Sequence, residues 1–232
     1  MSRIYFTVLA VGLMLMFASV PAMTQEESKI DFGINAGLAL PSGDFGSTNF
    51  FSDNAGGAST GFSVGADLGV LITKGLSWWT SLFLAFNALN EEYVQSATGE
   101  SGAISGELGS WSTVWPLTGI RYAAPVSEQI ELFGGVQVGM LFGTTPDPNA
   151  TQGNYRFSAE SASSSAVAFG FTGGIVLNKR FTGSLRYMTG QATYKYKITS
   201  SFSVPGFTST TIYDLEADHP SSLLQFVVGV RF

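Results

Sequence analysis

The chain has 232 residues, 12% charged and 45% hydrophobic, with 28 Gly, 19 Phe, no Cys and a formal net charge of -6. Globular domains carry about 25% charged residues, so this chain has half the usual supply for a water-facing surface. Yet mean hydropathy is only +0.23, and after the first two dozen positions no run nears the ~18 apolar residues of a spanning helix, which excludes a polytopic helical membrane protein. Abundant Leu, Ile, Val and Phe exclude a disordered polymer, and the missing Cys removes disulfides, thiolate metal sites and cysteine nucleophiles.

In chain order, Arg3 precedes an uncharged stretch from Ile4 to Gln25 whose most apolar part, Val8 to Ala18, has the length of an export signal and is too short to span. Small residues at Val20 and Ala22 place cleavage after Ala22, with Thr24 as the second choice. Residues 1–22 are therefore expected to be a signal peptide, 23–29 a short leading segment and 30–232 one domain.

From Ile30 onward apolar residues fall on every second position, the mark of strands with unlike faces. Ile30, Phe32, Ile34, Ala36, Leu38 and Leu40 form the first such row, and Phe62, Val64, Ala66, Leu68, Val70 and Ile72 the second. The third runs through Leu76, Trp78, Leu82, Leu84 and Phe86, the fourth through Val114, Thr118, Ile120 and Tyr122. Ile130, Leu132, Val136, Val138, Met140 and Phe142 give a fifth, and Val167, Phe169, Phe171, Ile175 and Leu177 a sixth. Phe181, Leu185 and Tyr187 supply the seventh, and Leu224, Phe226, Val228, Val230 and Phe232 the eighth.

Joints alternate between short (Lys74-Gly75, 124–128, 178–180) and long (roughly 42–59, 90–112, 144–163 and 198–219). Long and short joints thus lie at opposite ends of the sheet. An even number of strands, alternating joints and a second face of Gly, Ser, Ala and Asn fit a closed antiparallel barrel with lipid outside and small side chains inside. Rings gather near strand ends: Phe32, Trp78, Tyr122, Phe181 and Phe232 at the short-turn side, Phe62, Phe86, Phe142 and Phe169 at the other, as two interfacial girdles would require.

The carboxy-terminal run Leu223 to Phe232 resembles the assembly signal of outer-membrane barrels, with Phe226, Val228, Val230 and Phe232 on one face and Phe last. The resemblance implies recognition by the barrel-assembly machinery. As a whole, 30–232 resembles small eight-stranded barrels of the OmpX, OmpA and OmpW type. The expected fold class is all-β: a transmembrane eight-stranded antiparallel up-and-down β-barrel, preceded by a cleaved signal peptide, in the bacterial outer membrane among its lipid and lipopolysaccharide, with both termini periplasmic. The segment Trp115 to Tyr122 looks like a recurrent strand of such barrels.

If the apolar rows face lipid, Asp31, Asp67, Arg121, Glu131, Arg186 and Arg231 face inward, three acids against three bases, and are expected to form an interior ion-pair lattice. A turn centred near Val126 would set Arg121 opposite Glu131, and barrel closure would bring Asp31 to Arg231. The long gaps hold Asp44, Asp53, Glu91, Glu92, Glu100, Glu107, Asp147, Glu160, Asp214, Glu216 and Asp218 against Arg156 only. That surface argues against nucleic acid and leaves an extracellular partner or divalent cations as candidates for the acidic loops. No calcium loop, P-loop or cofactor motif is present, so no cofactor is expected.

His219, the single histidine, stands two residues before Ser221. His-x-Ser near a barrel rim resembles outer-membrane lipid A deacylases and phospholipases, whose serine needs an imidazole base and an orienting acid or amide. Here only the terminal strand follows, which leaves the orienting partner unsupplied. Tyr194 and Tyr196 fall on the parity opposite to Leu185 and Tyr187. A bulge at Gly190, or a strand that projects past the bilayer and offers an edge to a partner, would each account for them. The expected role is structural or interactive at the cell surface with a mostly plugged lumen. A narrow conduit for small or hydrophobic solutes is the alternative, and lipid hydrolysis through His219 and Ser221 a further one.

Overall fold

The computed structural model describes residues 30–50, 54–98 and 103–232, so the expected signal peptide and the segment 23–29 lie outside the described residues. The strands, in chain order, are β1 (Ile30–Pro41), β2 (Gly61–Thr73), β3 (Leu76–Ala88), β4 (Ser105–Glu107), β5 (Ser110–Pro125), β6 (Ile130–Thr144), β7 (Asn149–Gln152), β8 (Tyr155–Ala159), β9 (Ser163–Leu177), β10 (Phe181–Val204) and β11 (Phe207–Arg231). Among the described residues, one helix, α1 (Glu91–Thr98), and a 3-10 turn at Gly43–Gly46 lie in the long loops.

Eight of these strands make the barrel. Each of β1, β2, β3, β5, β6, β9, β10 and β11 pairs antiparallel with the next, and β1 pairs with β11 from Gly33↔Arg231 to Pro41↔Leu223, which closes the sheet. The apolar rows read from the sequence all turn outward, with Ile34, Leu38, Phe62, Ile120, Val136, Phe171 and Val228 among those exposed. From Leu132 to Phe142 along β6, at a rise of about 3.4 Å per residue and a tilt of roughly 40°, this belt is ~25 Å tall, the height of a bilayer's hydrocarbon. Phe32 and Phe232 stack 6.2 Å apart at its short-turn edge, and Phe62 and Phe86 5.1 Å apart at its long-loop edge. Thr80 and Thr118 face outward within it and bond each other at 3.0 Å. One hydroxyl thus donates to the other, which lessens the cost of turning two polar groups toward hydrocarbon.

Turn chemistry fixes the short end. Gly75 takes φ +78 between β2 and β3, and Asn178 and Lys179 take φ 51 and 57 between β9 and β10. Left-handed backbone is natural for Gly and tolerable for Asn, whereas Lys179 bears a cost there.

Three sequence expectations are corrected at the long-loop end and in the lumen. First, the 198–219 gap is not a loop. β10 and β11 run on in one unbroken register from Phe181↔Val230 to Val204↔Phe207, joined by a Pro205-Gly206 turn. There is no bulge at Gly190: even-numbered residues face inward throughout β10, so Tyr194 is buried on the same inner face as Arg186 and Met188. What changes there is the solvent, since Gln191, Thr193, Lys195 and Lys197 follow Tyr187 on the outer face. Second, the turn between β5 and β6 centres on Glu128, not Val126; Arg121 pairs with Gly135 and Glu131 with Pro125. Arg121 and Glu131 are therefore not opposite each other.

Third, the lumen is not filled by small residues alone. Trp79, Phe83, Trp111, Trp115, Leu117, Leu141, Met188, Tyr194 and Leu223 are all buried inside. The glycines of the inner face are their seats. A Cβ on Gly65 would strike the Phe83 ring, one on Gly143 the Tyr194 hydroxyl, and one on Gly174 would lie 2.7 Å from Phe133. Replacing Gly65 by Val is expected to destabilise the barrel by ~1–3 kcal/mol through overpacking. Adding Phe83→Leu should recover a large part of that loss, as read from urea midpoints of the single and double variants in detergent; simple additivity would contradict the contact.

Candidate functional site

Charges occupy the short-turn end of the lumen. Arg231 grips Asp31 with two bonds, Nε to Oδ1 at 2.7 Å and a second guanidinium nitrogen to Oδ2 at 2.5 Å, across the seam that closes the barrel. Arg121 reaches the same Oδ2 at 2.7 Å, and Arg231 also meets Glu131 at 3.1 Å. One layer inward, Arg186 holds Asp67 through two parallel bonds of 3.1 and 2.7 Å, while Asn35 donates to Asp67 Oδ2 at 2.7 Å. All six residues named from the sequence thus face the lumen, as Asp31 with Arg121, Arg231 and Glu131, and Asp67 with Arg186. A fork-to-carboxylate pair satisfies both partners at once, which is what buried ions require.

Trp79 separates the two layers. Its ring lies 5.6 Å from the Arg121 guanidinium and 5.2 Å from that of Arg186, and the Phe83 ring lies 4.2 Å from the Arg186 guanidinium. Above Phe83 the lumen becomes apolar, through Leu117, Trp115, Met188, Leu141 and Leu223. The signal for this plug was in the sequence, as inward-parity Trp79, Phe83, Trp115 and Leu117, but it was outweighed by the glycines around it.

The mouth is closed by the loops. Phe45, carried by the 3-10 turn, is fully buried and meets Trp111 edge-on at 5.3 Å. The Trp111 indole donates to the Gly56 carbonyl at 2.8 Å, and Asn87 donates to the carbonyls of Ala39 and Ser59 at 3.0 and 2.8 Å. These bonds stitch the first long loop across the lumen instead of leaving it in solvent. Asp53 and Glu100, two of the acidic loop residues, lie outside the described residues.

His219 and Ser221 both face inward from β11, but they do not form a catalytic pair. The His219 imidazole is buried between Trp111 at 5.5 Å and Tyr194 at 5.9 Å, and its Nε2 lies 3.3 Å from the Tyr196 hydroxyl. Ser221 Oγ is fully buried and makes no bond to the imidazole. Asp218, next in sequence, points outward and accepts from Thr193 at 2.5 Å. The base, the nucleophile and the orienting acid are therefore not assembled. Burial pushes the His219 pKa below its usual 6.5, while the Asn54 backbone and the Asp218 charge pull it upward.

Around His219 opens a pocket of about 50 Å³, lined by Phe50, Tyr93, Trp111, Phe157, Tyr196 and His219, with Pro146 and Pro148 at its edge. Phe50 and Tyr93 form one wall, 5.4 Å apart and nearly edge-on. The pocket's residues come from three loops and four strands. Sequence reading marked only His219 and Tyr196 among them, because ring residues scattered over separate loops and strands carry no spacing of their own.

Replacing Arg186 by Met leaves Asp67 charged and buried, and is expected to cost ~3–5 kcal/mol. Pairing it with Asp67→Asn should restore most of that stability, measured by thermal loss of heat-modifiable gel mobility. For His219 the charged form is disfavoured in the fold, so stability is full above pH 6.5 and falls as pH drops from 6.5 toward the lowered folded pKa. The protection factor against hydrogen exchange at the Ala58 amide, which bonds the Phe45 carbonyl, should fall over that window as pH drops, and His219→Gln should flatten the change.

No family model matches the chain, and no curated protein matches it. Among solved structures it is similar to the outer membrane protein OprG from Pseudomonas aeruginosa, at 14% identity over 87% of this chain and 95% of that one, with a TM-score of 0.47. It is also similar to Neisserial surface protein A, at 13% identity over 88% and 98% with a TM-score of 0.45. A major outer membrane protein from Thermus thermophilus gives 14% identity over 88% and 99%, again at 0.45.

Proposed function

We propose that the protein is an integral outer-membrane barrel with a closed lumen that acts at the cell surface through its tall β10–β11 hairpin and acidic loops, without catalysis. The observation that carries this reading is the unbroken β10–β11 register. Thr189 pairs with Phe169 in the upper girdle, and beyond it β10 continues to Val204. At about 3.4 Å per residue these fifteen further residues (204 − 189) lift the strand some 50 Å along its own axis. β8 pairs with β10 from Ile198 to Phe202, and β7 and β4 follow in order, so the same sheet continues as an extension that stands on the barrel rim. Ordering so many residues outside the bilayer costs conformational entropy that a plain membrane anchor need not bear. In this reading the short turns and both termini are periplasmic, outer-membrane lipid and lipopolysaccharide surround the belt, and the terminal strand carrying Phe226, Val228, Val230 and Phe232 engages the barrel-assembly machinery.

Closure of the lumen is supported by the Trp79 and Phe83 layer and by the loop stitched over the mouth. The second reading, a narrow conduit for small or hydrophobic solutes, is favoured by the apolar pocket beside His219. Two measurements decide. A cysteine at Ser209 should react with a membrane-impermeant maleimide on intact cells while one at Glu128 should not; the reverse pattern ends the proposed orientation. In planar bilayers the purified chain should give no stable conductance step, whereas the double variant Trp79→Ala, Phe83→Ala should. A steady step from the native chain would favour the conduit.

A further inference from the structure

The pocket at the mouth has a composition that neither a surface scaffold nor a plain hydrocarbon channel requires. The rings of Tyr93, Trp111 and Tyr196 line it, and its one titratable nitrogen base, His219, is tied to the Tyr196 hydroxyl. A water needs roughly 10–15 Å³ of such space, so about 50 Å³ admits a group of about four heavy atoms. The rim is acidic. Glu92 adjoins Tyr93 in the chain and Asp147 sits between Pro146 and Pro148, and both are exposed. The two lysines that flank Tyr196 are compensated by carboxylates, Lys195 by Glu216 at 3.1 Å and Lys197 by Asp214 at 4.0 Å.

We propose that this pocket binds a small organic cation, a quaternary or tertiary ammonium head, seated against the faces of Tyr93, Trp111 and Tyr196 and drawn in by the acidic rim. The ring quadrupole places negative charge on an aromatic face, and a methylated ammonium sheds water at little cost, so a cage of rings selects it over a metal ion or a primary amine. An anion finds no donor cluster there. Burial, which keeps the imidazole neutral at pH 7, removes the one fixed positive charge that would oppose such a guest. An uncharged solute of the same shape would gain the burial but not the electrostatic term.

That difference is the test. The full chain, refolded in a maltoside detergent free of choline groups, is titrated with choline and with its neutral isostere 3,3-dimethylbutan-1-ol, following indole fluorescence and calorimetry. Choline is expected to bind at least tenfold more tightly than the alcohol. Tyr93→Leu and Tyr196→Leu should each weaken choline at least fivefold and leave the alcohol nearly unchanged, with folding checked by heat-modifiable mobility. Asp147→Asn with Glu92→Gln should weaken choline more at low salt than at high salt, which tests the rim without touching the cage. Equal affinity for the two probes, or choline binding indifferent to both Leu variants, would overturn the assignment and leave an apolar pocket; absence of saturable choline binding would overturn it outright.

Discussion

Hydrocarbon offers no partner to a backbone N–H or C=O, and every other feature of this chain follows from that constraint. A sheet with an apolar exterior and an open edge would leave a row of such groups unpaired, so β1 must meet β11, and it does over nine residue pairs. Closure at eight strands then makes an interior only wide enough for side chains. Whatever points inward must fit its neighbours or the wall cannot close, and this sets rings on glycines and guanidinium forks on carboxylates. The seam and the lattice support each other, because Asp31 and Arg231 belong to the two strands that meet there.

The molecule changes character where it leaves the bilayer. Within the belt, large apolar side chains turn outward and the lowest part of the lumen is ionic. Above the upper girdle, Lys195, Lys197 and Thr193 take the outer face while Tyr194, Ala192 and Ile198 are buried within. The strands do not alter their register at this boundary; the surroundings of each face do. One pair of strands therefore serves as membrane wall below and as wall of a water-soluble sheet above. The plug of Leu117, Leu141, Met188 and Leu223 sits at the junction and belongs to both.

The barrel itself was legible because period-two hydrophobicity is a direct image of a two-faced wall in lipid. Each outward row, from Ile30 to Phe232, could be read off without knowledge of its neighbours. The hairpin tip was not, since β10 and β11 above the bilayer keep period two but write it in Thr, Ser, Lys and Tyr, where no hydropathy contrast remains. Its signals were of another kind. Pro205-Gly206 marks a tight turn, and Lys195 with Glu216, and Lys197 with Asp214, are equidistant from it. The lattice was half legible. Inward parity gave its members, but partners across the lumen, such as Arg186 and Asp67, depend on barrel shear, and Glu128 displaced the assumed turn centre by two residues. The pocket was the least legible, because loop rings meet there only through the fold of the mouth.

The bond from Arg231 to Asp31 spans 200 positions of the chain. The outer edge of β1 stays bare until the final strand arrives, so until then the folding chain carries an apolar half-ladder ready to pair with a neighbour. Contacts so distant along the polymer close slowly, and an open strand edge is an invitation to aggregate in the meantime. The geometry of the seam thus makes docking of the last strand the event that ends the exposure of the edge from Ile30 to Pro41.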